Sequence, residues 1–310
     1  MTNPSAMTAL QSLTATNKAL ETVQTRISTG LRVSQASDNA AYWSIATTMR
    51  SDNKAFSTVR DALGLGAGKL DVAYTGMNAA IERVDEIKQK LLSAMGASDE
   101  DKGKIQTEIA ELQNQLQSIA KAANYAGSNL LAANETTVAD TEFEIVASYD
   151  RSTSGAISVN KITVALEDAD NNRSIALMQF ANDGTLEDDI GLLNFAYQDD
   201  IDTLYADADT QPTGVAILAI DVSDADDDTI LGALATIEVV IGKMTEAAST
   251  LGAAKKRVDT QSDFVSKLQD AIDRGVGQLV DADMNKESAR LSALQVQQQL
   301  GIQALSIANS

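Results

Sequence analysis

The side chains that could do chemistry are almost all carboxylates, and they crowd the middle of the chain. Asp221, Asp224, Asp226, Asp227 and Asp228 form one group; Asp168, Asp170, Asn171 and Asn172 form another. Hard oxygen donors at close spacing suit calcium, but a calcium loop also needs Gly at its sixth position and a bidentate Glu at its twelfth. Both are missing, so the preferred reading is a solvated, self-repelling surface that keeps copies dispersed. Glu187 and Asp188 offer the paired carboxylates of glycoside hydrolysis, a weak signal in a block so rich in acids. Gly64-Leu65-Gly66-Ala67-Gly68 resembles a phosphate-cradling loop only by eye: no strand precedes it and no G-K-S/T ends it. Tyr42 and Trp43 stand at a helix start, where packing anchors are a better reading than ligand stackers. The chain has no His and no Cys. That removes the commonest proton-transfer group and any disulfide or thiolate metal site. No catalytic, metal or cofactor residue is assigned, and an enzyme is not expected.

The elements around this block are of another kind. Only Pro4 and Pro212 interrupt a chain of 310 residues, and both lie outside the periodic segments, so long helices are permitted. Leu10, Leu13, Leu20, Val23 and Ile27 mark one helical face, with Gly30 as its C-cap. Ser37 or Asp38 is the expected cap of a second helix. Ile81, Val84, Ile87 (or Lys88), Leu91 and Ala94 step by three and four. After a break at Gly96 to Gly103, so do Ile105, Ile109, Leu112, Leu116 and Ile119, an a/d seam that reads as an antiparallel helical hairpin. The C-terminal flank repeats the pattern through Leu231, Leu234, Ile237, Ile241, Met244, Ala248 and Leu251, then Val258, Val265, Leu268 and Ile272. Leu291, Leu294, Ile302 and Leu305 give a last narrow face. Between the flanks, Phe143–Ala147, Ile157–Val164 and Gly214–Ile220 are β-branched runs that read as strands, with turns at Ser152–Gly155 and Asn182–Gly184.

Charge divides the chain in the same places. Residues 1–132 carry 13 acidic and 13 basic side chains, residues 133–231 carry 22 and 3, and residues 232–310 carry 9 and 8. Nucleic acid and anionic membranes are poor partners for such a chain. No segment approaches a transmembrane span, so no membrane insertion is expected, and Met1 to Leu13 does not read as a cleavable signal peptide. Helices with narrow apolar faces at the two ends of a chain are marginal in water and need partners, either each other or other copies.

Residues 25–50, from Thr25-Arg26-Ile27-Ser28-Thr29-Gly30-Leu31-Arg32-Val33 to Asp38-Asn39-Ala40-Ala41-Tyr42-Trp43, closely resemble the N-terminal signature of bacterial flagellins. Leu251-Gly252-Ala253-Ala254-Lys255-Lys256-Arg257 resembles the family's L-G-A-x-x-N-R segment, with Lys256 in place of Asn. Asp281-Ala282-Asp283-Met284 resembles the turn before its last helix, and Gln299 to Asn309 its Q-x-G-x-x-x-L-x-x-A-N ending. The wording of residues 38–65 is most similar to flagellins of rhizobium-type alphaproteobacteria. The resemblance covers both flanks and leaves out 133–231.

It implies a mainly α fold: an elongated helical bundle or coiled coil from the two flanks, with an inserted β-rich (α+β) outer domain. Residues 1–43 and 278–310 would be the inner-core helices, 44–132 and 232–277 a helical shell, and 133–231 an acidic variable outer domain. It also implies a structural subunit that self-assembles into the extracellular flagellar filament. Export would run through the flagellar type III apparatus with a chaperone, and growth would occur under a cap protein and beyond hook-associated proteins, alone or with sister flagellins. The assembly residues would be Leu10, Leu13, Leu20, Val23, Ile27, Leu291, Leu294, Ile302 and Leu305. The shell core would be Ile81, Val84, Leu91, Ile105, Ile109, Leu112, Leu116, Ile237, Ile241, Leu251 and Val258. Arg32, Asp38 and Asn39 would link core to shell.

Three departures from the family pattern stand out. Flagellins extend past the position of Ser310 with a short apolar tail, and the start is a few residues short. Arg83-Val84-Asp85-Glu86 replaces the R-V-R-E of the helix that a host Toll-like receptor reads, and Asp85 reverses a charge there, which argues against recognition through Arg83 and Glu86. A hook–filament junction protein and a flagellin-like polysaccharide-binding protein are the alternatives.

Overall fold

The computed structural model describes residues 4–134, 142–152, 154–166, 175–180, 191–194, 196–204 and 212–309. Four long helices dominate: α1 (Pro4–Thr29), α2 (Ala40–Ala94), α5 (Asp227–Val280) and α6 (Met284–Asn309). They are joined by α3 (Asp99–Ala122), a short α4 (Gln198–Leu204) and six strands: β1 (Asn124–Tyr125), β2 (Ser128–Asn129), β3 (Ala132–Asn134), β4 (Glu142–Arg151), β5 (Ile157–Ala165) and β6 (Met178–Phe180). The fold is mainly α with a β region inserted between the helical flanks. The chain divides into two compact units, residues 1–58 with 266–310 and residues 59–265.

In the larger unit the seam of α2 steps by three and four without a break. It runs through Val59, Leu63, Gly66, Leu70, Ala73, Met77, Ala80, Val84, Ile87, Leu91 and Ala94, all buried. The seam expected from Ile81 onward thus begins earlier and is filled by Ala80, with Ile81 half-buried beside it. Alanine and glycine positions carry little apolar signal in a sequence, yet by being small they let helices approach closely. On α5 the buried line is Ile230, Ala233, Ile237, Val240, Met244, Ala247, Leu251, Ala254, Val258 and Val265. Leu231 is exposed and Leu234 and Ile241 are half-buried, so the expected line was one position off at these three places, where Ile230, Ala233 and Val240 are buried instead. At Gly96 (φ 69°) the chain reverses, and Ser98 caps α3 by accepting from the Asp101 N–H at 3.3 Å. Helix α3 resumes at Asp99, ahead of the expected end of the break, and places Gly103 within its first turns.

Strands β4 and β5 form an antiparallel hairpin with a bulge between Val146 and Ser148, at the expected places. Its inner residues Ile145, Ala147, Ile162 and Val164 are buried. Gln261 of α5 donates to the Ala147 carbonyl at 3.0 Å, and Ile145 lies over Gly66 of α2. The run Gly64–Gly68 is therefore helix, its glycines leaving room for the Ile145 side chain above Gly66 and the Tyr125 ring above Gly68.

The third expected strand is absent. Gly214–Ala216 has no regular structure and leads into a 3-10 turn at Ile217–Ala219. Side chains and the Leu193 carbonyl, which accepts from the Leu218 N–H, not a neighbouring strand, bond its backbone. Gln113 of α3 donates to the Ile217 and Ile220 carbonyls at 2.9 and 3.1 Å, Gln106 accepts from the Val222 N–H at 3.0 Å, and Thr236 accepts from the Val215 N–H at 3.1 Å. β-Branched composition reports a pleated, packed segment and cannot reveal that its hydrogen bonds end on glutamines. The turn expected at Asn182–Gly184 lies outside the described residues. That at Ser152–Gly155 is closed by the Gly155 N–H on the Ser152 carbonyl at 2.9 Å.

Candidate assembly interface

The smaller unit brings the two ends of the chain together. Helix α1 ends where expected: Gly30 (φ 70°) donates its N–H to the Arg26 carbonyl at 2.8 Å, a left-handed C-cap. Five threonines in α1 (Thr14, Thr16, Thr22, Thr25 and Thr29) return their hydroxyls to carbonyls four residues back. The polar face is thereby satisfied without a partner, at a slight cost to the helix.

Helix α6 packs antiparallel on α1. Arg26 pairs with Glu287 at 3.3 Å, Gln298 donates to Asn17 at 2.8 Å, and a Cβ at Gly301 would stand 3.1 Å from Leu13. Asp283 caps α6 through the Asn285 and Lys286 N–H groups. Arg26 in the last turn of α1 and Glu287 in the first turn of α6 each complement the helix dipole.

Of the nine expected assembly residues, only Val23 and Leu294 are buried within one copy. Leu13, Leu20, Ile27, Leu291 and Leu305 are half-buried, and Leu10 and Ile302 are exposed. Met7, Val296, Leu300 and Ile307 are exposed as well. A groove of about 800 Å³ runs along α1 between Met7, Leu10, Thr14 and Lys18. Paired in one copy, the terminal helices leave much of their apolar surface in water.

The two connectors of this unit are zipped together. Arg32 and Val33 donate to the Val280 carbonyl at 2.6 and 3.2 Å, and Ala282 donates to the Gly30 carbonyl at 2.9 Å. Val33, Ala46, Val276 and Val280 form a small core beneath them, with Leu31, Met49, Ile272 and Leu279 packed against it. Arg32 reaches the Leu279 carbonyl at 2.8 Å, closing the C-terminus of α5. Asp38 does not cap α2, contrary to expectation. Its carboxylate accepts from the Ser34 and Gln35 N–H groups at 3.0 and 3.1 Å. Those bonds, the one from Gln35 first, hold its pKa below the ordinary carboxylate value, with a smaller pull from Arg26. The cap is Asn39, which accepts from the Tyr42 N–H at 3.1 Å. Ser37, Asp38 and Asn39 are all good capping residues, and only the geometry of the loop decides among them.

Of the shell-core positions, Val84, Leu91, Ile109, Leu112, Leu116, Ile237, Leu251 and Val258 are buried, while Ile81, Ile105 and Ile241 are half-buried. Arg83 pairs with Glu86 at 2.7 Å, and Asp85 accepts from Gln89 at 3.0 Å. Sequence reading missed the Arg26–Glu287 and Asn17–Gln298 contacts, because residues that far apart in the chain show no pairwise signal in one sequence. In the acidic group, Asp221 accepts from Ser223 and Asp226 caps α5 through Thr229. The other acidic group and the Glu187–Asp188 pair lie outside the described residues. No helix among the described residues is long and apolar enough to cross a membrane.

Comparison with known proteins points the same way as this geometry. The family model for the bacterial flagellin N-terminal helical region matches residues 1–136, and that for the C-terminal helical region matches residues 234–310. The chain is 53% identical to a flagellin of Brucella melitensis biotype 1, over all of this chain and 95% of that protein. It is 46% identical to flagellin C of Rhizobium meliloti, again over all of this chain and 95% of that one, and 43% identical to flagellin A of the same species, over all of this chain and 96% of that protein.

Proposed function

The chain belongs to the bacterial flagellin family and is a structural subunit of the flagellar filament, and we propose that it polymerises through the antiparallel pair of its own two ends. One observation carries this reading: α1 and α6 shelter Val23 and Leu294 but leave Met7, Leu10, Val296, Leu300, Ile302 and Ile307 in water. Burying such side chains between copies stabilises by roughly 25 cal/mol per Å² of apolar surface, less the cost of ordering the ends. The assembly residues are then Leu10, Leu13, Leu20, Val23, Ile27, Leu291, Leu294, Ile302 and Leu305. Arg32, Asp38 and Asn39 hold the connector that follows α1.

Residues 1–43 and 278–310 act as the core of the polymer, 44–132 and 232–277 as its shell, and 133–231 as its acidic exterior. The exterior's charge keeps filaments apart. The subunit works outside the cell, in swimming motility. It is not an enzyme, and its partners are other flagellin subunits, an export chaperone, the filament cap and hook-associated proteins. Arg83, tied to Glu86 beside Asp85, is a poor contact for a Toll-like receptor.

Electron microscopy of the purified chain tests the mechanism. The full chain should elongate into filaments, and the chain lacking residues 1–30 should remain a soluble monomer. Polymers formed by the truncated chain would overturn the proposal.

A further inference from the structure

In the smaller unit α2 and α5 run antiparallel, and their shared seam is apolar where the connectors meet it. Ala46 and Val276 belong to one small core. Beside them, a Cβ at Gly275 would stand 3.2 Å from Met49 Cε. The seam of α2 advances by three and four through Ala46, Met49, Asn53 and Phe56, and that of α5 through Gln269, Ile272, Val276 and Val280. Asn53 and Gln269 therefore fill places where the pattern calls for apolar side chains. Gln269 is only 9% exposed.

The two amides form a bonded layer across the seam. Gln269 donates to the Asn53 carbonyl at 3.3 Å, and the Asn53 side chain donates to Asp273 at 2.5 Å. One atom is left over: Gln269 Oε1 is buried with no hydrogen-bond partner among the described residues. Buried polar atoms are nearly always bonded, and an unbonded one costs stability. Leucine at 269 would remove that cost, so stability does not account for the glutamine. Specificity does, because a polar side chain at one seam position selects a single pairing of two helices at the expense of stability.

The neighbouring contacts need such a device. Ala46 and Gly275 are small and Met49 is flexible, so packing there fits more than one setting of the helices. A shift of one heptad would bring Val280 beside Met49 and Ile272 beside Phe56, apolar on apolar. The layer opposes that shift, since Asn53 would then lie opposite Val276 with nothing to bond. It acts together with the Arg32 and Val33 bonds to the Val280 carbonyl, which hold the far end of α5.

We propose that Asn53 and Gln269, with Asp273, are positioning residues that select one setting of α2 against α5 in the smaller unit, and that the chain gives up stability for it. The consequence for growth rests on the chain being a filament subunit: α1 and α6 follow from this helix pair, so a copy with the pair wrongly set presents its ends wrongly.

The chain has no Cys, so Lys54→Cys with Asp270→Cys, two exposed positions beside the layer, takes spin labels at defined places. Labelled chains diluted into unlabelled wild-type filaments report distances within one copy, and pulsed electron resonance should give one narrow distance. With Asn53→Leu and Gln269→Leu added, the distribution should broaden or split, and incorporation into wild-type filaments should fall several-fold. In the unassembled double variant, deuterium exchange of the amides of residues 40–58 should nevertheless slow several-fold. A more stable pair that assembles less well is an outcome that loss of a merely structural contact does not produce. Exchange at the wild-type rate or faster, or a double variant with the wild-type narrow distance, would overturn the positioning role. Wild-type incorporation by copies whose distances have split would overturn its link to assembly. Failure of the wild-type chain to form filaments would overturn the function proposed above, while the exchange rates would still decide the layer.

Discussion

Gly66 of α2 lies beneath Ile145 of β4: a Cβ on that glycine would stand 2.6 Å from Ile145 Cγ2 and 2.7 Å from its Cδ1. Ile145 is buried, so three of its side-chain carbons would have to move together. Overpacking of this kind costs about 1–3 kcal/mol, against a gain of about 1 kcal/mol from replacing a helical Gly with Ala. Gly66→Ala should therefore be neutral to destabilising by about 2 kcal/mol, and Gly66→Val clearly destabilising. Gly64, on the same helix with nothing within 4 Å of its Cβ position, is the control: Gly64→Ala should stabilise by up to about 1 kcal/mol. Urea unfolding followed by circular dichroism separates them, and equal behaviour at the two sites would refute the packing account.

The strap at residues 217–226 makes a second prediction. Gln113, itself buried, satisfies two carbonyls there, and Lys102 donates to the Ala225 carbonyl at 2.8 Å. Gln113→Ala strands the Ile217 carbonyl, while Ile220 keeps its 3.3 Å bond from Gln106, and should cost about 1–3 kcal/mol. Gln106→Ala frees the Val222 N–H that Gln106 now accepts, so that amide should exchange with deuterium much faster while those in the middle of α3 do not. Unchanged protection at Val222 would show that the strap does not depend on α3.

These two sites also show what the sequence could and could not reveal. The helical flanks, the hairpin β4–β5 and the cap at Gly30 were legible because each depends on local periodicity or on one residue's conformational freedom. The seam of α2 before Ile81 was hidden because Gly66, Ala73 and Ala80 serve it by being small. The strap read as a strand because its apolar pattern is that of a packed extended segment, and the glutamines that bond it lie more than a hundred residues away. In the candidate interface, the apolar residues of the ends could be named from their spacing. The contacts that set the antiparallel register of α1 on α6 could not, since Arg26, Asn17, Glu287 and Gln298 look like any solvated helical residues.

Acid should loosen the start of α5 before it unfolds the helix. Asp226 accepts from the Thr229 hydroxyl at 2.6 Å and its N–H at 2.8 Å, and these bonds, the hydroxyl first, hold its pKa below the ordinary value. With the folded value lowered from an unfolded one of about 3.9, the contribution is complete at neutral pH and is lost as pH falls below about 4 through the lowered value. The carboxyl carbon of Asp226 in a nuclear magnetic resonance titration should show a midpoint below that of a free aspartate. Asp226→Asn keeps a capping oxygen and should remove the acid dependence of exchange at Ile230, whose N–H bonds the Asp226 carbonyl. A midpoint at or above the free value would contradict this.

The pairing of the chain ends depends on one charge more than on its partner. Glu287 has a side chain only 9% exposed, against 28% for Arg26. One of its oxygens meets Arg26, and the other is buried with no hydrogen-bond partner among the described residues. Removing the arginine leaves a buried carboxylate uncompensated, which costs about 3 kcal/mol or more. Removing the carboxylate's charge leaves an arginine that can turn to water, for a loss nearer 1 kcal/mol. Arg26→Ala should therefore destabilise α1 on α6 by clearly more than Glu287→Gln, and the double variant should fall short of the sum, since the stranded charge is gone. Native-state hydrogen exchange of the α1 amides measures each opening free energy without requiring the whole chain to unfold in one step. Arg26→Ala should also raise the critical concentration for filament growth, because each copy would have to order its ends before it could stack. Equal and additive effects of the two single changes would mean that the pair contributes to register alone, and that the ends are held by their apolar contacts.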